Sequence, residues 1–544
     1  MGDSSPKIVA AGNRTARQAH GRSPILDPVW SPVKPYEFGH QKTSQSTPDR
    51  RRAERFAKWP LRVMKFGGTS VGSASCIANV AEIVCTASQE SRIVVVVSAM
   101  SGVTNKLIDA ARQAEAGNRE RVECILEEIR KQHHAAAETL IHSRTELERV
   151  MRAMDQILAE GDHLCQGTIL LRELTTRALD SISSLGERLC APLVSIVLKE
   201  RGIPSESIEA TELIVMDSYH GSAEPRMGPI RERCEARLRP LLQQGVTPVI
   251  TGFIGVTPEG IRTTLGRGGS DFSATILGAT LDADEVVIWT DVDGILTADP
   301  KLVPAARTIS EISYLEATEL AFFGARVLHP KTMRPVLRSS IPVRISNTFA
   351  PEKCGTRITA QGCSNGKGAK ALTAIGEVAL ITVGGLEIVG VREVLGRTFT
   401  TTAKVQVDVL LVSQSSSQSE ICFVVPASAG TRTVEALRRE FAQDLAHEEV
   451  EHITLNEEVA IVAVVGEKMR GTPGVVGRTF SALGRENVNI IAMAQGSSEA
   501  SISFLVARKD MKAALMATHQ EFHLDQSNEV EAIPSLPESV APSP

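Results

Sequence analysis

The sequence predicts an α/β protein: a three-layer αβα domain with a largely parallel sheet, followed by two copies of a small α+β unit. Three observations carry this. Short apolar runs of strand length recur at Leu61–Phe66, Ile93–Val97, residues 247–254 and Val286–Trp289. Helical spacing fills the intervals, above all over residues 105–200, which lack turn punctuation. That alternation is how helices come to cover both faces of a parallel sheet. The third observation is an internal repeat: Val378–Val383 matches Val459–Val464, Gly396–Phe399 matches Gly477–Phe480, and Gln414 matches Gln495, always 81 positions apart.

Taken in order, residues 1–60 are rich in Ser, Pro, Arg and Gln without apolar periodicity and read as a disordered extension. A transit peptide is the alternative, weakened by Asp3, Asp27, Glu37, Asp49 and Glu54, since such peptides are poor in acids. The expected localisation is cytoplasmic, or plastid if this segment is a transit peptide. Leu61–Phe66 then reads as a strand, 67–72 as a turn and Ala74–Ala87 as a helix. Ile93–Val97 is continuously apolar, as a strand buried on both faces should be. The Gly-rich stretch 362–370 reads as a linker to the duplicated part.

Composition excludes several functions. Lys plus Arg number 59 and Asp plus Glu 64 among 544 residues, a formal net charge of -5. This offers no global pull toward nucleic acid or an acidic membrane, so neither is expected as a partner. No apolar run approaches the ~20 residues of a membrane span. The nine cysteines are scattered without a CxxC pair, and the twelve histidines form no HExxH. Reduced thiols and no metal site are expected.

Several motifs carry chemistry. In Lys65-Phe66-Gly67-Gly68-Thr69-Ser70, two glycines let backbone N–H groups approach a phosphate while the lysine neutralises it. It is not a Walker A loop, and no GxGxxG occurs. In Gly266-Arg267-Gly268-Gly269-Ser270-Asp271, the arginine fork suits a carboxylate and Asp271 suits an orienting role near phosphates. Trp289–Gly294 and then Thr297–Pro300 follow a buried-looking strand, at the carboxyl end where such sheets hold ligands. Lys331 offers a second cation for phosphates. Val97–Asn105 offers hydroxyls, and Glu187 a carboxylate within an apolar helical stretch.

Read together, KFGGTSV (65–71), VSAMSGVTN (97–105), LGER (185–188), GFIG (252–255), GRGGSD (266–271), TDVDG (290–294) and LHPK (328–331) resemble the aspartate kinase family, of the amino-acid kinase fold. The duplicated unit resembles a pair of ACT domains, of the kind found in bifunctional aspartate kinase–homoserine dehydrogenases. The resemblance implies a catalytic domain over 61–360, a first ACT domain over 371–450 completed by 508–530, a second over 451–507, and a tail over 531–544. It implies ATP-dependent phosphorylation of the side-chain carboxylate of L-aspartate, the first step toward lysine, threonine and methionine, with Mg²⁺ arriving on ATP.

The roles it implies are residue by residue. Lys65 and Asp271 are catalytic. Ser98, Thr104, Glu187, Phe253, Arg267 and Ser270 hold aspartate, with Glu187 on its ammonium and Arg267 on its α-carboxylate. Lys65, Gly67, Gly68, Ser70, Thr290, Asp291, Asp299 and Lys331 hold ATP. Asp408, Gln414, Asn489 and Gln495 lie near an amino-acid effector, threonine by preference and lysine second. Leu296 stands where many members carry a base-stacking Tyr. A homodimer or homotetramer through the ACT domains is implied. After Val506 only 38 residues remain, too few for a nicotinamide-binding domain. The expectation is therefore phosphorylation of aspartate without reduction of the semialdehyde.

Overall fold

The computed structural model describes residues 59–324, 328–362, 368–385, 391–414 and 420–526. The expected extension up to residue 58, most of the linker, the serines 415–417 and the tail 531–544 lie outside the described residues.

The sheet grows from its centre. β1 (Leu61–Phe66) and β2 (Arg92–Val97) pair in parallel, with Phe66 opposite Val97. β3 (Ser205–Ile208) and β4 (Thr247–Thr251) extend it on the β2 side. β5 (Ile254–Val256) and β6 (Arg262–Thr264) form a separate hairpin. β7 (Glu285–Thr290) pairs with the free side of β1. β8 (Glu311–Ser313), β9 (Val343–Asn347) and β10 (Thr356–Thr359) complete an eight-stranded sheet of order β3-β4-β2-β1-β7-β9-β10-β8. Only the β9–β10 pair is antiparallel.

Side chains alternate across a strand, so each strand feeds two cores. Met64 and Phe66 enter one with Ile93, Val95 and Val97; Val63 enters the other with Val94 and Val96. Lys65 shares the parity of Val63, which turns it toward the face covered by the Gly269–Leu281 helix. The run 247–254 is two elements and not one strand. β4 stops at Thr251 because Phe253 takes a φ of 71°, left-handed backbone that a bulky residue rarely adopts. A Cβ on Gly252 would lie 2.7 Å from the Ser270 side chain, so only glycine fits there.

The absence of a span-length apolar stretch needs correction. The helical segment Thr176–Glu200 is long and apolar enough to cross a membrane, but 83% of that apolar window is buried inside the protein. Helices cover both faces of this sheet, and an element covered all round is apolar all round. The Arg119–Leu140 helix in the same layer buries His133, whose Nδ1 bonds the Ile129 carbonyl at 2.8 Å while Nε2 has no partner among the described residues. Burial, with small contributions from His134 and Lys106 against the Ile129 bond, lowers its pKa from 6.5 to about 4. The folded protein therefore resists a proton that the unfolded chain accepts. Stability should be full above pH 6.5 and fall by about 3 kcal/mol as pH drops to 4. Denaturant titrations of a His133→Leu variant should show a flatter profile across that window; an identical profile would refute the assignment.

The second part is a six-stranded sheet. Its strands are β11 (Ala371–Gly384), β12 (Leu411–Gln414), β13 (Glu420–Pro426), β14 (His452–Val465), β15 (Ala492–Gln495) and β16 (Ser501–Ala507), in the order β12-β13-β11-β14-β16-β15. β11 and β14, β12 and β15, and β13 and β16 begin and end 81 positions apart. The offset reaches side chains. Arg397 pairs with Glu440 at 3.1 Å and lies over Phe441; Arg478 pairs with Glu521 at 2.9 Å and lies over Phe522.

The two units exchange strands. Ala371–Ile375 pairs with Ile461–Val465, while Leu380–Gly384 pairs with His452–Asn456. One core therefore holds Leu372, Val462, Leu483, Phe504 and Leu515, and the other holds Ile381, Val394, Phe423, Leu437 and Ile453. This corrects the expectation that 508–530 complete the first unit. The Met511–Glu521 helix packs on the Val475–Arg485 helix within the second. The reason is connectivity: that helix follows β16 directly and is the repeat counterpart of the Ala427–Glu440 helix. The exchange is made by the two long strands instead.

The second unit is joined to the first domain. Leu372 N–H donates to the Thr297 carbonyl at 2.8 Å, and Thr297 Oγ1 lies 3.0 Å from His519 Nε2. Buried Glu316 accepts from Lys370 Nζ at 3.0 Å and from the Glu467 N–H at 2.9 Å.

Candidate active site

Register places the motifs together. Phe66, Val97, Thr251 and Trp289 sit level across adjacent parallel strands, so the turns after β1, β2, β4 and β7 open on one edge. That is the carboxyl edge, where open parallel sheets bind ligands. Lys65 is buried, and its Nζ lies 2.5 Å from Asp271 Oδ1. Asp271 is in the first turn of the Gly269–Leu281 helix, where a carboxylate also meets the positive end of the helix dipole.

Glu187 is buried in the first turn of the Leu185–Glu200 helix, not solvated as a lone glutamate on a helix would usually be. Its Oε2 has no hydrogen-bond partner among the described residues. Desolvation pushes its pKa up to about 8, against the Ala99 N–H, its own backbone N–H and the Lys65 charge, all of which favour the ionised form. A buried, half-satisfied carboxyl is suited to receive a cation.

Arg267 is exposed in a loop where Gly266 and Gly268 take φ of 76° and 71°. Among the described residues it makes no ion pair, which leaves its fork free for an anion. A Cβ on Gly268 would lie 2.8 Å from the His329 side chain, so this loop lies against the start of the Pro330–Ser339 helix. Burial, with the charges of Lys331, Arg267 and Arg334, lowers the His329 pKa. Lys331 Nζ is held by Ser222 Oγ at 3.0 Å and Glu224 at 3.1 Å.

Two expected phosphate contacts are not available as drawn from the sequence. The Gly67 N–H already donates to the Trp289 carbonyl at 3.1 Å, because β1 continues its pairing with β7 one residue past the strand. The Gly68 N–H makes no bond among the described residues and remains open. Ser70 is fully buried, with its hydroxyl 2.6 Å from Thr348 Oγ1. It pins the turn to the segment after β9 and is closed to solvent. Ser98, Thr104 and Phe253 are half-buried around the same edge, and Ser270 lies behind Gly252. Thr290 Oγ1 bonds the exposed Asp291 carboxylate at 3.2 Å. Asp299 is exposed farther along this loop and accepts the Lys301 N–H at 2.9 Å.

Residues 60–347 match the amino acid kinase family, and residues 381–441 and 462–522 each match the ACT domain. The lysine-sensitive aspartokinase 3 of Escherichia coli (strain K12) is 33% identical over 461 residues, which cover 84% of this chain and 98% of that protein. The chain belongs to the aspartokinase family. The crystal structure of E. coli aspartokinase III in complex with aspartate and ADP (R-state) superposes with a TM-score of 0.73 at 30% identity, covering 85% of this chain and all of that one. The chloroplastic bifunctional aspartokinase/homoserine dehydrogenase of Daucus carota is 36% identical over 482 residues, 87% of this chain and 52% of that protein. The chain thus spans about half the length of the bifunctional aspartokinases it matches.

A cavity of about 390 Å³ opens in the second ACT unit, between Met469–Val476 and the turn Gln495–Glu499. Gln495 lines it; Asn489 does not, and is exposed just before β15. Gln414 and Asp408 are exposed in the first unit. Sequence reading missed Met469, Val475 and Glu499, which repeat matching alone could have suggested only with the cavity in view. It also missed Asp180 and Thr348, whose side chains act through contacts 40 or more positions away.

Proposed function

We propose that the chain transfers the γ-phosphoryl group of ATP to the side-chain carboxylate of L-aspartate, giving 4-phospho-L-aspartate and ADP. The observation that carries this is the sheltered Lys65–Asp271 pair at the end of β1, with buried Glu187 near enough to feel the Lys65 charge and Arg267 without an ion pair among the described residues. The attacking carboxylate is already ionised at neutral pH, so no strong general base is needed. One oxygen attacks phosphorus, the bond to the β–γ bridging oxygen breaks, and that oxygen leaves on ADP. Lys65 neutralises charge on the transferring group, and Asp271 holds the ammonium in place; positioning and charge stabilisation supply most of the catalysis in such transfers. Glu187 takes the substrate ammonium and Arg267 its α-carboxylate. Gly68 offers its N–H, and Lys331 its charge, to the nucleotide phosphates.

Mg²⁺ fits as an ion carried by the nucleotide, because Asp271 is committed to Lys65 and no group of three ligand side chains occurs among the described residues. When bound there it neutralises phosphate charge. The reaction is read as the first step toward lysine, threonine and methionine. The chloroplastic relatives and the scattered free cysteines both fit a reducing compartment, cytoplasm or plastid. A homodimer or homotetramer through the ACT units belongs to the same reading, and light scattering on the purified chain tests it.

The test of the activity is hydroxamate formation with ATP. Product from aspartate supports the proposal. Product from glutamate alone points to another carboxylate kinase, and no product to an inactive sensor.

Regulation is read at the second ACT unit. Gly474 caps the Val475–Arg485 helix without a side chain, which leaves N–H groups at the cavity for an amino-acid carboxylate, and Glu499 is at hand for its ammonium. Threonine is the preferred effector and lysine the second. At about 5 mM, well above typical dissociation constants, one of them should lower the initial rate. Gln495→Ala should remove that response while leaving the uninhibited rate intact; no response to either amino acid in the wild type would refute it.

A further inference from the structure

Asp180 is a buried carboxylate that the chemistry above does not use. It lies on the Thr176–Ser183 helix, seven positions before Glu187 and joined to its helix by Ser184 alone. Four donors converge on it. Its Oδ1 accepts from Thr264 Oγ1 at 2.6 Å; its Oδ2 accepts from Thr263 Oγ1 at 3.0 Å and the Gly221 N–H at 2.9 Å, and lies 3.0 Å from His220 Nδ1. A carboxylate so enclosed is satisfied, and each donor is tied to one place.

The donors belong to the two walls that carry the free and paired cations of the site. Thr263 and Thr264 end β6, which runs through Leu265 into the loop of Arg267. Gly221 precedes Ser222, whose hydroxyl holds Lys331. The walls also touch: a Cβ on Gly266 would lie 2.8 Å from the Gly221 carbonyl, and the Ala223 N–H donates to Thr264 at 3.0 Å. The start of β6 is anchored separately, by Arg262 to Glu160 at 3.0 Å and to Glu209 at 2.9 Å. Arg188, beside Glu187, pairs with the same two carboxylates. Asp180 therefore holds the end of β6 nearest the Arg267 loop, apart from the anchors of Arg262.

We infer that Asp180 is a positioning residue that sets the span between Glu187 and Arg267, and hence recognition of the two charged groups of the amino-acid substrate. This rests on the proposed aspartate kinase reading. It predicts an effect on substrate binding more than on phosphoryl transfer, since Lys65 and Asp271 are held by other elements.

The experiment compares wild type with Asp180→Asn and Thr264→Val. Asn presents an amide N–H where donors converge, and Val removes one hydroxyl at nearly constant volume. Both should raise KM for aspartate, Asp180→Asn by about tenfold or more, with kcat within about threefold. KM for ATP should rise less than KM for aspartate, because Lys331 keeps Glu224 at 3.1 Å when the Ser222 segment loosens. Hydrogen exchange of the ligand-free protein should show lost protection at 219–223 and 263–268 in Asp180→Asn, and at 263–268 alone in Thr264→Val. An unchanged KM for aspartate, or loss of protection spread evenly over residues 61–360, would overturn the inference. If the wild type makes no product from aspartate, the activity reading fails, and the exchange pattern alone then decides the positioning role.

Discussion

Lys65→Ala should lower kcat by on the order of 10³-fold, the scale expected when a preorganised charge on a transferring group is removed from a water-poor site. The same change should cost stability. Asp271 has a side chain only 14% exposed and loses its partner at 2.5 Å, and removing one half of a sheltered ion pair leaves the other without compensation. The two effects can be separated. A Lys65→Ala, Asp271→Asn double variant should recover most of the lost melting temperature and none of the turnover. A single variant that keeps kcat within about tenfold of wild type would remove Lys65 from the phosphoryl site.

Glu187→Gln should raise KM for aspartate by about 10²-fold, the effect of truncating one partner of a desolvated charge pair. The pH dependence is the sharper signature. Burial holds the Glu187 pKa at about 8, so the carboxyl of the free protein is protonated at neutral pH. An ammonium binds its ionised form. Below pH 8 each unit should therefore cost up to about tenfold in kcat/KM for aspartate, and the profile should level above it. Gln has no proton to lose, so this limb should vanish in the variant. Stability runs the other way. A carboxyl whose folded pKa lies above its ordinary 4.5 favours folding fully below 4.5 and loses that contribution as pH rises through 8. The ligand-free Glu187→Gln protein should melt higher than wild type at pH 8.5 and about equally at pH 4.5. A wild-type profile flat from pH 6 to 9 would show that Glu187 is ionised throughout and defeat this account.

Much of the site was legible because it sits where local signals are strong. Lys65 stands one residue before the end of a strand that runs into two glycines, and Asp271 lies in the first turn of a helix entered through a glycine-rich loop, so turn chemistry marked both. The duplicated units were legible at a fixed offset, since two copies of one packing problem keep the same residues at the same places. What was not legible depended on partners distant in sequence. The Gly67 N–H is taken by Trp289, 222 positions on, and Ser70 by Thr348, 278 positions on. No turn rule for 67–72 could reveal this, because both partners arrive only when β7 and β9 join the sheet. The helix of residues 511–521 was assigned to the wrong unit for the same reason. Its own apolar pattern states that it is covered, not which strand covers it.

By itself the sequence determined the alternation of elements, the strand parity that turns Lys65 toward one face, the 81-residue repeat, and the residue types able to handle phosphate and carboxylate. These are local: they follow from the chain's 2.0 and 3.6 periodicities and from backbone that only glycine tolerates. The tertiary structure alone decided which halves of β11 and β14 serve which unit, which backbone donors remain free, and how completely Glu187 is removed from water. Those outcomes depend on what water and which neighbours each group loses when distant segments pack, and no local pattern records that.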